Sequence, residues 1–198
     1  MTTDNIDLDA LLAKLDACHE AREWAAGKTL EQAWNECQRG DWMLWLAGML
    51  DVDRKVLVRA TCACARLALP RVPAGERRPL KSIKTVEKWT RGKATIEDVR
   101  AAAEAALEAT RAAWDAADVE AWTAGAAAWW AAWAAVCASA EAAAWGATLK
   151  VKPAKCADIV RKHVPYELIA EAARREARLA ELRAKREAAK PMELSYVP

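Results

Sequence analysis

The chain has 198 residues, of which 54% are hydrophobic and 29% charged, and its formal net charge is +2. This composition is that of one ordinary globular domain. Pro and Gly are few, with seven of each, and β-branched alternation is missing, which excludes a β-sheet fold and predicts an all-α protein. The polar start MTTDNIDLD has no apolar signal segment, and six irregularly spaced cysteines indicate reduced thiols, so a cytoplasmic protein is expected.

Capping residues and helix breakers divide the first ninety residues into short helices. The longest break is the proline-containing loop 70–79, which is the expected place for a functional loop. The predicted elements are, in order, one or two helices over residues 7–26 closed by Gly27, a helix begun by a Thr29–Gln32 capping box, a helix over 42–50 capped by Asp41, a helix from the cap Asp51 to Leu69 stopped by Pro70, and a helix over 80–90.

The central segment 95–149 is dominated by small and aromatic residues, with 25 Ala and 6 Trp. Residues 121–140 carry no charge, so their helix has no polar face and is either the axis of a bundle or a membrane span. Membrane insertion is driven by Leu, Ile, Phe and Val, of which this stretch has Val136 alone. We therefore predict a buried central helix. The residues expected to form its inward ridge are Trp122, Trp129, Trp133, Val136 and Ala140.

The central segment is expected to fold back on itself after the helix cap Thr95, with the acidic stretch 115–120 as the bend. It is followed by the breakers Gly146 and Pro153, a helix over 154–163, a charged helix over 167–189 and an irregular tail over 191–198. The pattern predicts a single-domain multi-helix bundle of helical hairpins around an Ala/Trp-rich central helix pair. Residues 1–165 form the body of this domain, and residues 166–198 add a charged helix and tail packed on it.

Positive charge is concentrated in one part of the chain, since residues 71–93 carry eight basic and two acidic side chains. On the helix over 80–90 the cations lie within about 80° of arc, opposite its apolar residues. The candidate partner-binding residues are Arg71, Arg77, Arg78, Lys81, Lys84, Lys88 and Arg91. Such a face attracts an acidic protein or a phosphate backbone, although a merely solvated face explains the same pattern.

The sequence gives little evidence for a catalytic or metal-binding site. His19 and His163 are the two imidazoles available as general bases, and neither lies in a known nucleophile signature. Cys62 and Cys64 form a C-x-C pair, but two residues apart on a helix they point about 200° from each other and cannot grip one tetrahedral ion. Glycines occur singly, so no phosphate-binding loop is present in the sequence. We expect neither an enzyme nor a bound cofactor or metal.

Four sequence blocks are more distinctive than the rest of this helical sequence. They are TLEQAWNECQRGDWMLWLAG at 29–48, TCACARLALPRV at 61–72, SIKTVEKWTRGKATIEDVRAAAEAA at 82–106 and CADIVRKHVP at 156–165. In this order they resemble the helical immunity-protein family of bacterial polymorphic-toxin loci and phage genomes, and RGDWMLWLAG is the most specific piece. The resemblance covers roughly residues 17–165; the N-terminal segment, the charged C-terminal helix and the extra tryptophans of the Ala-rich region depart from it.

The resemblance implies a noncatalytic protein that binds and neutralises a toxin or defence protein, and it assigns no residue to the contact. An acidic protein is therefore the expected partner of the cationic face. A sequence-nonspecific nucleic-acid-binding protein using the 71–93 face is the alternative. A homo-oligomeric scaffold, such as a homodimer formed through the charged C-terminal helix, is a further alternative. No membrane association is expected.

Overall fold

The computed structural model describes residues 6–137 and 153–188, and within these ranges the chain is all-α, with no β-strand. A 3₁₀ helix, Arg66–Arg71, separates α5 from α6. The ten described α-helices are α1 (Leu8–Lys14), α2 (His19–Ala25), α3 (Leu30–Glu36), α4 (Gly40–Met49), α5 (Arg54–Ala65), α6 (Arg78–Thr90), α7 (Ile96–Asp115), α8 (Val119–Cys137), α9 (Pro153–His163) and α10 (Tyr166–Ala188). The predicted all-α bundle is confirmed. Ala140, Gly146 and the tail 191–198 lie outside the described residues.

Local capping explains where two of the helices begin. The Gln32 backbone N–H donates to Thr29 Oγ1 at 3.1 Å, and the Thr29 N–H donates to Gln32 Oε1 at 2.9 Å, so the predicted capping box of α3 is confirmed. Thr95 caps α7 in the same way, with Asp98 as its reciprocal partner. Each box satisfies N–H groups that a helix terminus otherwise leaves without acceptors.

Two predicted caps are wrong, because α4 and α5 begin at other residues than the sequence indicates. α4 begins at Gly40, so Asp41 lies in its first turn, where its carboxylate accepts from the Arg39 guanidinium. Asp53 caps α5 by accepting from the Val56 N–H at 3.0 Å. Asp51 instead occupies the turn after α4 with φ +55°, a left-handed conformation that a short polar side chain tolerates.

The helical hairpin α7–α8 and helix α6 form the central part of the bundle, and α8 also packs against α5. The predicted bend over 115–120 is confirmed, since α7 ends at Asp115 and α8 begins at Val119. In this part of the chain α8 presents a continuous row of small residues to its neighbours. The fully buried ones are Ala124, Ala127, Ala128, Ala131, Ala132 and Ala135.

The predicted inward orientation of the Trp ridge is wrong for Trp133, while Trp129 and Val136 pack against the edge of the core without being buried in it. Trp133 is 39% exposed, and Trp122 and Trp129 are half-buried, while the alanine face of α8 points into the bundle. Methyl side chains let neighbouring helices approach closely, which leaves no room for indole rings on that face. The rings pack on one another at the outside instead, with Trp129 and Trp133 stacked at 6.0 Å between centroids.

Two arginines attach the last helices to the first half of the chain. Arg161 of α9 donates from Nη1 to the carbonyl oxygen of Cys37 at 2.8 Å, just after α3. Arg175 of α10 donates from Nη2 to the carbonyl oxygens of Leu50 and Asp51 at 2.9 and 2.7 Å. These charge-assisted bonds satisfy carbonyl groups that the ends of α3 and α4 leave unpaired. None of the described helices is both long and apolar enough to cross a membrane.

Candidate protein-binding face

Helix α6 is amphipathic, and its packing fixes which face meets solvent. Pro79 lies in the first turn, where a missing N–H costs nothing. Ile83 and Val86 are fully buried and Ser82 is buried beside α8, with its hydroxyl 3.5 Å from the Ala128 carbonyl oxygen. Because one face of α6 is held in the core, the cations on the opposite face must lie at the surface.

Five of the seven predicted site residues are exposed cations, and we call this set the α6 cationic face. It consists of Arg77, Lys81, Lys84, Lys88 and Arg91. Within the described ranges, none of these side chains forms an ion pair or hydrogen bond with a carboxylate. Their charges are therefore available to a partner.

Arg78 and Arg71, the other two predicted residues, are half-buried and are not part of this set, although Arg78 lines the groove between α6 and α7 beside Lys81 and Lys88. Arg78 is half-buried and donates from Nε to both carboxylate oxygens of Glu76 at 3.0 Å. Its Nη1 also lies 3.8 Å from Glu108 of α7. The hydrogen bond from Arg78 holds the pKa of Glu76 below its ordinary value. Arg71 is half-buried at the end of the 3₁₀ helix. The charge of Arg78 is thus neutralised within the bundle.

Some cations elsewhere in the described chain are paired and others, such as Arg100 and Arg111, are not. The α6 cationic face differs in gathering five cations without a described carboxylate partner on one helix and its two ends. Arg66 holds Glu87 of α6 through two bonds of 2.7 and 2.8 Å. Similar pairs join Lys14 to Glu176, Lys28 to Glu36, Arg39 to Asp41 and Arg161 to Asp158. The contrast separates cations that organise the fold from cations that face outward.

A groove of about 380 Å³ runs beside this face, between α6 and α7. Lys81 and Lys88 line one wall, while alanines of α7 line the other. Lys93 and Asp98 also line the groove. They are not among the predicted binding residues, because Lys93 follows the end of α6 and Asp98 belongs to the capping box of α7. The fold places their charges next to those of α6.

The most exposed tryptophan of the described residues is Trp114, whereas those of α4 and α6 are half-buried. Trp42 is half-buried, and the Arg39 guanidinium lies 4.4 Å from its ring centroid. Trp89 is likewise covered by Arg54, at 5.1 Å. Trp114, at the end of α7, is 69% exposed. Exposed aromatic side chains are the most frequent anchors of protein interfaces.

Reactive side chains in the described part of the chain are buried or dispersed. Burial raises the pKa of the Cys62 thiol, and the hydrogen bond to Cys156 together with burial raises that of Cys64, so both thiols are held protonated. Cys64 donates from Sγ to the carbonyl oxygen of Cys156, 3.8 Å away. Among the described residues, no group of three His, Cys, Asp or Glu side chains is arranged to hold a metal ion.

Comparison with protein-family models, with curated proteins and with solved structures finds no match to this chain. The similarity to immunity proteins therefore rests on the four sequence blocks quoted above.

Proposed function

We propose that the protein is a noncatalytic inhibitor of the immunity or phage anti-defence type, which neutralises an acidic toxin or defence protein by stoichiometric binding. The α6 cationic face is the binding surface. The observation that carries the proposal is the set of five exposed cations without a described carboxylate partner, gathered on one helix and its two ends.

Unpaired cations on one helix face favour association with an acidic surface. Their summed field raises the rate of encounter by roughly ten- to a thousandfold at low salt. Charges at the rim of an interface contribute more to association rate and to partner choice than to final affinity. The alanine wall of the groove between α6 and α7 adds an apolar strip beside the charges.

The acidic residues of α7 favour a protein partner over a nucleic acid. Asp98 lines the groove beside Lys88, and Glu97, Glu104 and Glu108 are exposed on the same helix. A phosphate backbone laid along the groove would meet the Asp98 carboxylate, and like charges in close contact are unfavourable. A protein surface can supply carboxylates to the lysines and basic groups to α7 at the same time.

The proposal is tested by co-expressing the chain with the product of the adjacent gene and purifying the complex. Light scattering should give an integral stoichiometry, and mass spectrometry should show that the partner is chemically unchanged. Inhibition of the partner should be complete at that same molar ratio. Covalent modification of the partner, or inhibition at substoichiometric amounts, would identify an enzyme instead.

A gel-shift titration with duplex and single-stranded DNA and RNA, at two salt concentrations, tests the nucleic-acid alternative. Sequence-independent binding would weaken with salt by a log–log slope of about −0.9 for each phosphate neutralised on duplex DNA. We expect no shift at low salt. A shift with that slope would replace the protein-binding proposal.

A homo-oligomeric scaffold is the second candidate function, and one observation favours it. From Arg174 to Ala188 no residue of α10 is buried, and Leu179 and Leu182 are exposed one turn apart. An apolar pair on an unburied helix is typical of a helix-pairing seam. Light scattering on the wild type and on the double variant Leu179→Glu, Leu182→Glu tests it, since a scaffold would lose its oligomeric mass.

A further inference from the structure

An apolar pocket of about 370 Å³ lies among α1, α2, α3 and α4, away from the α6 cationic face. Its walls are contributed by leucines and alanines together with four indole rings. These rings belong to Trp24, Trp34, Trp42 and Trp45. A volume near 400 Å³ with mostly apolar and aromatic walls is typical of a small-molecule site.

The tryptophans of this pocket are held in place by the surrounding fold. Trp34 is 2% exposed, and Trp24 and Trp42 pack with their centroids 6.2 Å apart and their planes tilted by 55°. Lys28 lies 5.3 Å from the ring centroid of Trp24, and Arg39 lies 4.4 Å from that of Trp42. These two rings therefore already hold cations against part of their surfaces, as expected from the negative electrostatic face of indole.

The charge around the pocket is negative and incompletely paired. Residues 6–53 carry ten acidic and four basic side chains. All four cations are engaged, in the pairs Lys14–Glu176, Arg22–Asp9, Lys28–Glu36 and Arg39–Asp41. The Asp16 carboxylate, which lines the pocket from the turn between α1 and α2, has no hydrogen-bond or ion-pair partner among the described residues. The net charge of residues 6–53 is thus negative, while the nearest cations, Lys28 and Arg39, are each paired with a carboxylate.

We propose that this pocket binds a small apolar cation, an aromatic or branched alkyl ammonium compound. Its apolar body fills the space between the indole rings, and its ammonium group lies at the pocket edge beside Asp16. Burial of the apolar body supplies most of the affinity, at about 25 cal/mol for each Å² removed from water. The Asp16 carboxylate and the indole faces supply the preference for positive charge.

An anion of the same size is excluded by the same features. Asp41, which also lines the pocket, is 8% exposed and already paired with Arg39, and no lysine or arginine is among the described lining residues. Arg39 holds Asp41 through bonds of 2.9 and 2.6 Å from Nε and Nη2, so two of its donors are already engaged. A carboxylate in the pocket would be desolvated without a described cation to receive it. This inference is independent of the partner proposed for α6.

The test uses a matched pair of probes with one aromatic body, 2-naphthylmethylammonium and 2-naphthoate. Isothermal titration calorimetry on the full-length protein measures both affinities, and the indole N–H signals in ¹⁵N-correlated NMR spectra report which tryptophans respond. We expect saturable 1:1 binding of the cation, with shifts confined to the pocket tryptophans, and binding of the anion at least about tenfold weaker. Absence of saturable cation binding, or equal affinity for the two probes, would overturn the proposal.

Two variants locate the site. Asp16→Asn should weaken cation binding by about two- to fivefold, the size of an exposed ion pair, and leave naphthoate no weaker. Glu31→Gln, which removes an exposed carboxylate from α3 outside the pocket, is the control and should bind like the wild type. Unchanged cation affinity in Asp16→Asn would contradict the assigned role of that carboxylate.

A space-filling substitution tests the pocket itself. Ala21→Leu adds bulk at a half-buried position of the pocket wall and should abolish binding while helix content measured by circular dichroism is retained. Ala17→Leu, at a second half-buried wall position, replaces it if the first variant does not fold. Unaltered binding in a folded filled variant would place the probe elsewhere and overturn the assignment.

Discussion

Gly125 of α8 lies directly against Thr110 of α7. A Cβ atom built on Gly125 would lie 2.5 Å from Thr110 Oγ1 and 3.2 Å from its Cα and N atoms. Thr110 cannot turn its hydroxyl away freely, because Oγ1 donates to the Ala106 carbonyl oxygen at 2.8 Å. The absence of a side chain at residue 125 therefore sets how closely the two helices of the central hairpin approach.

Substitution Gly125→Ala should destabilise the protein by about 1–3 kcal/mol, the range of an overpacked core. Its better helix propensity offsets the loss by less than about 1 kcal/mol. Urea unfolding measures the change. The double variant with Thr110→Ala should recover part of the loss, because it removes the atom in closest contact. An unchanged midpoint in Gly125→Ala would contradict the close approach of α7 and α8.

The turn between α7 and α8 carries a strain that one substitution should relieve. Ala117 has φ +54°, and its N–H donates to the Trp114 carbonyl oxygen while the Asp118 N–H donates to that of Ala113. This is a Schellman motif with alanine at the position that favours glycine. Ala117→Gly should therefore stabilise the protein by about 0.5–1 kcal/mol in thermal or urea unfolding.

The matched control for that change is Ala116→Gly, one residue earlier. Ala116 has φ −81° and ψ 1°, a conformation that alanine adopts without strain. Glycine there relieves no strain in the folded chain and adds conformational freedom to the unfolded chain. We expect a loss of about 0.5–1 kcal/mol. Equal effects of the two substitutions would show that the left-handed conformation of Ala117 is not the source of the gain.

The attachment of α10 to the end of α4 depends on Arg175. Its guanidinium donates to two carbonyl oxygens at the turn where Asp51 adopts a positive φ. Arg175→Ala should cost about 1–2 kcal/mol, because hydrogen bonds from charged groups are stronger than neutral ones. Arg178→Ala removes a neighbouring exposed cation without a described partner and should cost less than about 0.5 kcal/mol. Comparable losses in urea unfolding would contradict the capping role.

Acidification should weaken the fold partly through Glu76. The Arg78 hydrogen bond lowers the pKa of Glu76 in the folded chain below the unfolded value of about 4.3. The resulting stabilisation is therefore complete above that pH and is lost as the pH falls through the folded-state pKa. Its size is below about 1 kcal/mol for a pair this accessible.

Urea unfolding of the wild type and Glu76→Gln, at pH 7 and in the acid range, measures this contribution. The variant should be less stable at pH 7, and the difference should shrink on acidification. Glu31→Gln, at an exposed carboxylate without a described partner, should show no such convergence. A difference that persists unchanged at low pH would assign the effect to packing instead of charge.

Most helix boundaries could be predicted from local sequence signals. Capping boxes such as Thr29–Gln32 and Thr95–Asp98 supply hydrogen-bond acceptors to the free N–H groups of a helix from residues only three positions apart. The orientation of α8 was not predictable in the same way. A helix with Ala on one side and Trp on the other is apolar all round, so hydropathy does not select its buried face. Close packing against Thr110 and the other neighbours selects the alanines.

The candidate binding face could be predicted in part from the sequence. Helical spacing placed Lys81, Lys84 and Lys88 together because they are on one element. The pairing of Arg78 with Glu108 and the proximity of Lys93 and Asp98 depend on how α7 lies beside α6. Contacts between elements are not encoded in the periodicity of either helix, so these features required the structure.

The most direct test of the proposed function is the dissociation constant for the co-purified partner, compared between the wild type and Lys81→Glu, Lys84→Glu, Lys88→Glu. The control, Arg100→Glu, Arg111→Glu, Lys155→Glu, makes the same change in net charge at exposed positions outside the α6 cationic face. At low salt we expect the dissociation constant of the α6 variant to be at least about tenfold higher than that of the wild type, and that of the control to be close to the wild-type value. Equal binding by the wild type and the α6 variant, or equal losses in both variants, would contradict the assignment of the binding surface.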